Sequence, residues 1–313
     1  MTIFITGYTG FLGQHLMKAL EGTQTRTVGL RRDVLGDGCR WNPDVMSQGD
    51  LSCPEKLARI LSQYEVDTVV HLAAQTDVRI AYAEPLSTWE SNTRGTWNLM
   101  EACRTQKVKR VIVASTDKCY GWTEPPYKES DPVRASGQYE TSKACADLIA
   151  QSYEKTYGMS IAVTRAGNYY GPGRYNWATL IPGTIKSIIE GKRPVLRTDG
   201  TFRRDFMHID DGVSAYMALL NSTATGPFNF GTGDPIMVID VVKKICEMMD
   251  WKDGIEIIPT AKGEIVDQYL DTTRALNELG WSPRVKFEDG LRSTIEWYRE
   301  WFRKDKAETY PAD

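Results

Sequence analysis

Ser115, Thr116, Asp117 and Lys118 follow the apolar stretch RVIVA, so a hydroxyl, an acid and an amine stand in succession where a buried strand ends. A solvated, ion-paired turn would account for them. So would chemistry, because an acid and a base beside a hydrogen-bonding hydroxyl can move protons at adjacent carbons. Further along, QYETSKACADL sets Tyr139 and Lys143 four residues apart at the start of a helix, where such residues share a face. An ammonium beside a phenol favours the phenolate, which would let Tyr139 act as a base near neutral pH. An exposed helix pair is the plain alternative.

A third group stands at the chain's start. ITGYTGFLGQHL spaces Gly7, Gly10 and Gly13 by three residues, directly after an apolar strand and at the opening of a helix. Glycines there let the backbone turn sharply and approach a pyrophosphate, whose charge the helix N-terminus favours. A tight turn without a ligand is the competing account, and the position in the first strand-helix unit weighs against it. Asp50 in QGDL would accept from an adenine amino group. In VGLRRD, Arg31 and Arg32 suit a 2′-phosphate, which predicts NADP over NAD, although Asp33 beside them could serve the NAD ribose.

Such groups need rigid elements to hold them. TIFITG, TRTVGL, DTVVHLAA and KRVIVAS read as continuous apolar strands, and the helix-like stretches GQHLMKALEG, CPEKLARILSQY and TRGTWNLMEACRTQ alternate with them. That alternation predicts an α/β fold, a doubly wound parallel Rossmann-type sheet with a smaller C-terminal substrate lobe. The expected division is residues 1–168 plus about 205–250 for dinucleotide binding, and about 169–204 plus 251–313 for the lobe. GPFNFGTG reads as a further strand and LRSTIEWYREWFRK as a terminal amphipathic helix.

The composition removes other classes. The 313 residues carry 38 Lys and Arg against 41 Asp and Glu, a formal charge of -3 without a basic run, which leaves nucleic acid without support as a partner. Six cysteines and three histidines show no ligand-like spacing, so no metal site is expected and a reducing, cytoplasmic setting is. No apolar run reaches membrane-spanning length, and the opening TIFITG leaves no room for a signal segment. The expectation is a soluble, unprocessed protein.

TGYTGFLG, HLAA, STDKCYG, YETSK, RAGNYYGPG and RRDFMHIDD occur in an order and spacing that resembles the extended short-chain dehydrogenase/reductase family, specifically its nucleotide-sugar epimerases and dehydratases, over nearly the whole chain. The resemblance implies that Thr116 hydrogen-bonds a sugar 4-hydroxyl, that Tyr139 and Lys143 work with it, and that Asn168 and Arg204 contact the nucleotide diphosphate. It extends the cofactor contacts to Thr9, Phe11, Leu12, Leu51, Leu72, Ala73 and Ala74. Arg174 and Asn176 in GRYNWATLIP are offered to the same diphosphate, and Lys262 in AKGE stands where family members carry an arginine.

The pair after the threonine separates the family's branches. Asp117-Lys118 resembles the dehydratases, TDKCY most resembles the CDP-glucose 4,6-dehydratases, and the paired arginines resemble the GDP-mannose enzymes, so the base stays open. The implied substrate is a nucleotide-diphosphate hexose, with Lys118 taking the C5 proton or stabilising an enolate and Asp117 protonating the departing 6-hydroxyl. A 4-epimerase or 4-keto-sugar reductase would use only Thr116, Tyr139 and Lys143; a non-catalytic dinucleotide sensor would need neither Tyr139 nor Lys143. Family members often dimerise through a four-helix bundle, which makes a homodimer the expected assembly.

Overall fold

Strands that are apolar on successive residues must be covered on both faces, and the structure shows how. The computed structural model describes residues 1–32, 39–260 and 265–305. In it β1 (Thr2–Thr6), β2 (Arg26–Arg31), β3 (Val45–Gln48), β4 (Thr68–His71), β5 (Arg110–Ala114) and β6 (Ile161–Ala166) join β11 (Gly226–Phe230) in a seven-stranded sheet. Its order is β11-β6-β5-β4-β1-β2-β3, and every pairing is parallel. Alternate residues serve opposite faces: Ile3 and Ile5 of β1 join one core with α1 (Phe11–Leu20) and α8 (Ile209–Leu220). Phe4 joins the other, with α2 (Pro54–Gln63), α5 (Gly95–Thr105) and α6 (Gln138–Tyr157). Each fully buried Val, Leu or Ile in these layers contributes roughly 1.5–3 kcal/mol of transfer free energy.

The strand order reverses between β1 and β4, because the chain steps outward to β3 before returning to β4. A crevice opens above the carboxyl ends of strands at such a reversal. The glycine turn after β1, the HLAA segment after β4 and the STDK segment after β5 all leave the sheet on that edge. On the way to α5 the chain forms α3 (Val78–Ala83), α4 (Pro85–Trp89) and a π turn over Glu90–Arg94.

The second lobe is made of smaller pieces. β7 (Asn168–Tyr170) pairs with β10 (Phe206–His208), β8 (Val195–Leu196) with β13 (Glu256–Ile257), and β9 (Arg203–Arg204) lies between β12 (Ile236–Met237) and β14 (Asp267–Gln268). A third core gathers α7 (Leu180–Ile189), α9 (Val238–Met248) and α11 (Phe287–Asp305). Thus α9, expected within the dinucleotide-binding part, packs on α7 in the lobe: its apolar stripe Val241, Val242, Ile245 and Cys246 faces Ile181 and Ile185. By contrast α10 (Thr273–Leu279) sends Ala275 back into the first core. Among the described residues no helix is long and apolar enough to cross a membrane.

Candidate active site

The glycine turn is fixed by the strand beside it. Gly7 has φ +73°, and a Cβ there would lie 2.5 Å from the Ala73 nitrogen; at Gly13 it would lie 2.3 Å from the Gly7 oxygen. Only glycine lets β1 turn into α1 so closely against Leu72 and Ala73, which join Thr9, Gly10, Phe11 and Leu12 around the turn. At the far end Asp50 accepts from the Ser52 N–H at 2.8 Å. Burial raises that carboxyl, and the Ser52 bonds and the Arg32 charge outweigh it, leaving the pKa lowered. Leu51 is buried beside it, and Arg31 ends β2. Asp33 lies outside the described residues.

The end of β5 is organised by Thr116. Its hydroxyl caps a 3-10 turn, Asp117–Tyr120, accepting from the Lys118 N–H at 3.3 Å and donating to Asp117 Oδ1 at 3.1 Å. Asp117 is fully buried, and its Oδ2 has no hydrogen-bond partner. Lys118 Nζ reaches Asp117 Oδ1 at 3.5 Å and Asn168 Oδ1 at 3.4 Å. Gln75 Oε1 after β4, Ser115 Oγ and the Tyr169 hydroxyl are likewise buried without a partner. An unmatched buried polar atom costs on the order of 1–3 kcal/mol, so such atoms around one crevice fit polar ligands. With the glycine cradle and Asp50, these residues fit a nicotinamide dinucleotide.

Tyr139 sits in the first turn of α6, with its phenol near enough to the Thr116 hydroxyl to be influenced by it. Burial, and next the Asp117 carboxylate, push the phenol above its ordinary value, while Thr116 and Arg174 oppose them. The sequence led us to expect Lys143 to favour the phenolate. Instead, Lys143 Nζ donates to the Ala114 carbonyl at 2.6 Å, and burial lowers its pKa to about 8, with Asp147 opposing. The expected spacing is present; the ammonium is instead bound to the main chain at the last residue of β5.

The proposed diphosphate contacts are dispersed. Asn168 joins Lys118. Arg174 lies over the Phe11 ring at 5.6 Å and donates to the Tyr169 carbonyl, which puts it beside the glycine turn. Asn176 bonds the Ala178 N–H at 3.1 Å and shapes the turn into α7. Arg204 donates to the carbonyls of Arg203 and Val266 at 2.9 and 2.8 Å. Lys262 lies outside the described residues.

Two positioning groups escaped the sequence reading. Asn92, buried in the π turn, holds the Gln75 backbone through both N–H and carbonyl at 2.7 and 2.9 Å and donates to Ser142 Oγ at 2.9 Å; Ser142 in turn donates to the Tyr139 carbonyl at 2.7 Å. His71 stands between the hydroxyls of Thr6 at 2.7 Å and Thr96 at 3.0 Å. Thr96 already donates to the Asn92 carbonyl, so the ring N–H is on Nε2 and Nδ1 accepts from Thr6. Burial, then Lys143, lowers the His71 pKa to about 3. A π turn leaves no periodic mark in a sequence, and Asn92 stands in the polar run ESNTR, where nothing sets it apart.

Residues 3–231 match the model of the NAD dependent epimerase/dehydratase family. A dTDP-glucose 4,6-dehydratase of Streptomyces niveus is 31% identical over 318 residues, covering 96% of this chain and 93% of that one. Among solved structures, UDP-glucose 4-epimerase from Thermotoga maritima with UDP-glucose matches at TM-score 0.91 and 27% identity, over 96% of this chain and 100% of the other. A dTDP-glucose 4,6-dehydratase from Streptomyces venezuelae with NAD bound matches at TM-score 0.87 and 28% identity, over 96% and 97%.

Proposed function

The chain belongs to the NAD dependent epimerase/dehydratase family, and on that footing we propose that it is a nucleotide-sugar 4,6-dehydratase, turning an NDP-hexose into an NDP-4-keto-6-deoxyhexose. The observation that carries this reading is the acid and amine directly after Thr116: a fully buried Asp117 with one oxygen unpartnered, and Lys118 held between it and Asn168. Removal of water across C5 and C6 needs such a pair, and transfer of hydride at C4 alone does not.

A nicotinamide dinucleotide held at the glycine turn would supply reversible hydride acceptance, from C4 and back to C6 of the sugar. Tyr139 accepts the proton of the 4-hydroxyl, which Thr116 orients, and Lys143 supplies positive charge beneath them. The ketone at C4 acidifies C5–H. With the proton of the Lys118–Asp117 pair on the carboxyl, neutral Lys118 removes the C5 proton and later returns it to C5, while Asp117 gives its proton to the departing 6-hydroxyl, which leaves as water; the proton gained by Tyr139 balances the one Asp117 gives up. Asn168, Arg204 and Asn176 face the substrate's diphosphate end in this reading, with Lys262 as a further cation. The alternative 4-epimerase reading, the activity named for the Thermotoga maritima neighbour, would use Thr116, Tyr139 and Lys143 alone. Mass spectrometry of products from UDP-, GDP-, CDP- and dTDP-hexoses decides: loss of one water supports elimination, and unchanged mass with an altered sugar would replace it with epimerisation.

For the cofactor we read NADP, on the support of two consecutive arginines where β2 ends: Arg31 is its last residue, and the charge of Arg32 acts on Asp50. NAD is favoured by relatives solved with NAD bound. Titration of the purified protein with both separates them; equal or tighter NAD binding removes the arginine assignment. Trp97 on α5 with Leu148 and Tyr157 on α6 leaves large apolar side chains exposed at 45, 51 and 55%, which supports a homodimer through those helices. Sedimentation showing only monomer would remove it.

A further inference from the structure

A dehydratase of this kind carries the same electron pair out of and back into one sugar, so the reduced dinucleotide must stay bound between the two transfers. One segment is built to keep it there. Gly171–Arg174 runs from β7, the strand that carries Asn168 and Tyr169, and crosses to the helix that opens at the glycine turn. It is pinned at four points. A Cβ on Gly171, which has φ +147°, would lie 2.5 Å from Ile209 Cγ2, so the backbone is pressed against the start of α8. The Pro172 carbonyl accepts from His15 Nε2 on α1 at 2.8 Å; a carbonyl cannot donate, so His15 carries its proton on that nitrogen. The Arg174 guanidinium lies over the ring of Phe11, the first residue of α1, at 5.6 Å, and donates to the Tyr169 carbonyl. Tyr298 of α11 closes the far end by donating to the Arg174 carbonyl.

We propose that Gly171–Arg174 is a strap that retains the nicotinamide dinucleotide, with Arg174 and His15 as its positioning residues, and that nucleotide-sugar binding at Asn168 and Tyr169 tightens it. This differs from the diphosphate role that the sequence suggested for Arg174. The guanidinium is committed to the glycine-turn helix on one side and to the sugar-side strand on the other, so it links two sites that are occupied together. Burial holds His15 below its ordinary pKa, in keeping with a neutral ring that donates one bond. Because such coupling is reciprocal, sugar bound at β7 slows dinucleotide release by the factor by which dinucleotide tightens sugar. The retention itself holds for any enzyme that recycles its cofactor in place; the coupling rests on the nucleotide-sugar reading above.

The test is a release rate. The full chain is loaded with NADH or NADPH, mixed with excess oxidised dinucleotide, and followed by the fluorescence of the bound reduced nicotinamide, with and without a nucleotide sugar that the protein is found to bind. Arg174→Met keeps the aliphatic stem and removes the fork; it should speed release on the order of tenfold, the scale of a partly buried cation–ring contact, and abolish the slowing by sugar. His15→Leu should speed release several-fold. Arg174→Lys, which keeps charge and loses the planar fork, should behave like Arg174→Met and serves if that variant fails to fold, as judged by thermal unfolding. Unchanged release in folded Arg174 variants, together with weaker nucleotide-sugar binding, overturns the strap and returns Arg174 to the diphosphate. Failure to find any nucleotide sugar that binds would count against the dehydratase reading, while the sugar-free release rates still test retention.

Discussion

The two halves of the crevice are held by different means. On the sheet side, Thr116, Tyr139 and Lys143 stand where long parallel strands meet helices with layers of buried side chains beneath them, and their partners are backbone groups or other buried residues. On the lobe side, five of the strands among the described residues have only two residues, and the segment leading into α7 is joined to α11 by a cluster of rings, Trp177, Trp297, Trp301 and Phe302 with Tyr175 beside them. Bond-making tolerates displacements of a fraction of an ångström, so it is built on strand ends; recognition of a nucleotide tolerates more and rests on loops and short pairings. Changes on the sheet side should therefore act on kcat or global stability, and changes on the lobe side on KM.

The sharpest way to break that division is Tyr139→Phe. It should lower turnover by about 10³–10⁴-fold, with no reduced nicotinamide seen on mixing with substrate, because the proton acceptor is gone. A modest KM effect alone would erase the distinction. Next, Asp117→Asn keeps the shape and removes the proton donor. Water loss should slow by roughly 10²-fold or more while oxidation at C4 persists, visible as accumulating reduced-nicotinamide absorbance; full turnover would mean that STDK is only a turn.

Beneath both residues, Arg165 and Asp147 form a buried ion pair at 2.8 Å that ties β6 to α6, and Arg165 also donates to Tyr120 at 3.0 Å. Removing one partner, as in Arg165→Met, should cost about 3–5 kcal/mol in urea unfolding because the other charge stays buried. The lobe counterpart is the exposed Arg203–Asp267 pair at 2.6 Å, where Arg203→Ala should change stability by less than about 1 kcal/mol. Comparable losses from both would show that the lobe is as tightly built as the sheet.

His71 supplies a pH test of the sheet side. Folded, it titrates near 3; an unfolded chain takes that proton near 6.5, so between those values the unfolded state binds more protons. Stability contributed by the neutral ring is complete above pH 6.5 and is lost as pH falls toward 3, at up to about 1.4 kcal/mol per pH unit. His71→Gln, compared by urea unfolding across that range, should show a shallower decline than the parent; equal slopes would place the acid sensitivity elsewhere.

The same contrast explains what could be read from the residues. TIFIT, TVVH and RVIVA announce themselves because strands covered on both faces must be apolar throughout, and Gly7 and Gly13 because a backbone in contact with another admits nothing larger. The spacing of Tyr139 and Lys143 is local to one helix and was equally legible. The partner of Lys143 was not, since it depends on which main-chain carbonyl the fold brings beneath α6. Nor were the two-residue strands of the lobe, which have no period to detect, or the packing of α9 on α7, which is a matter of which apolar stripe finds which. Arg174 was recognised as a candidate binder, and its direction could come only from the fold.

The bond from Lys143 to the Ala114 carbonyl has a meaning for how this protein tolerates change. Its acceptor belongs to the main chain, so no codon change at position 114 can delete it: a serine or glycine there offers the same oxygen in the same place. The anchor of the ammonium is thus sheltered from drift at its acceptor, and residue 114 can be varied without removing the oxygen that holds Lys143.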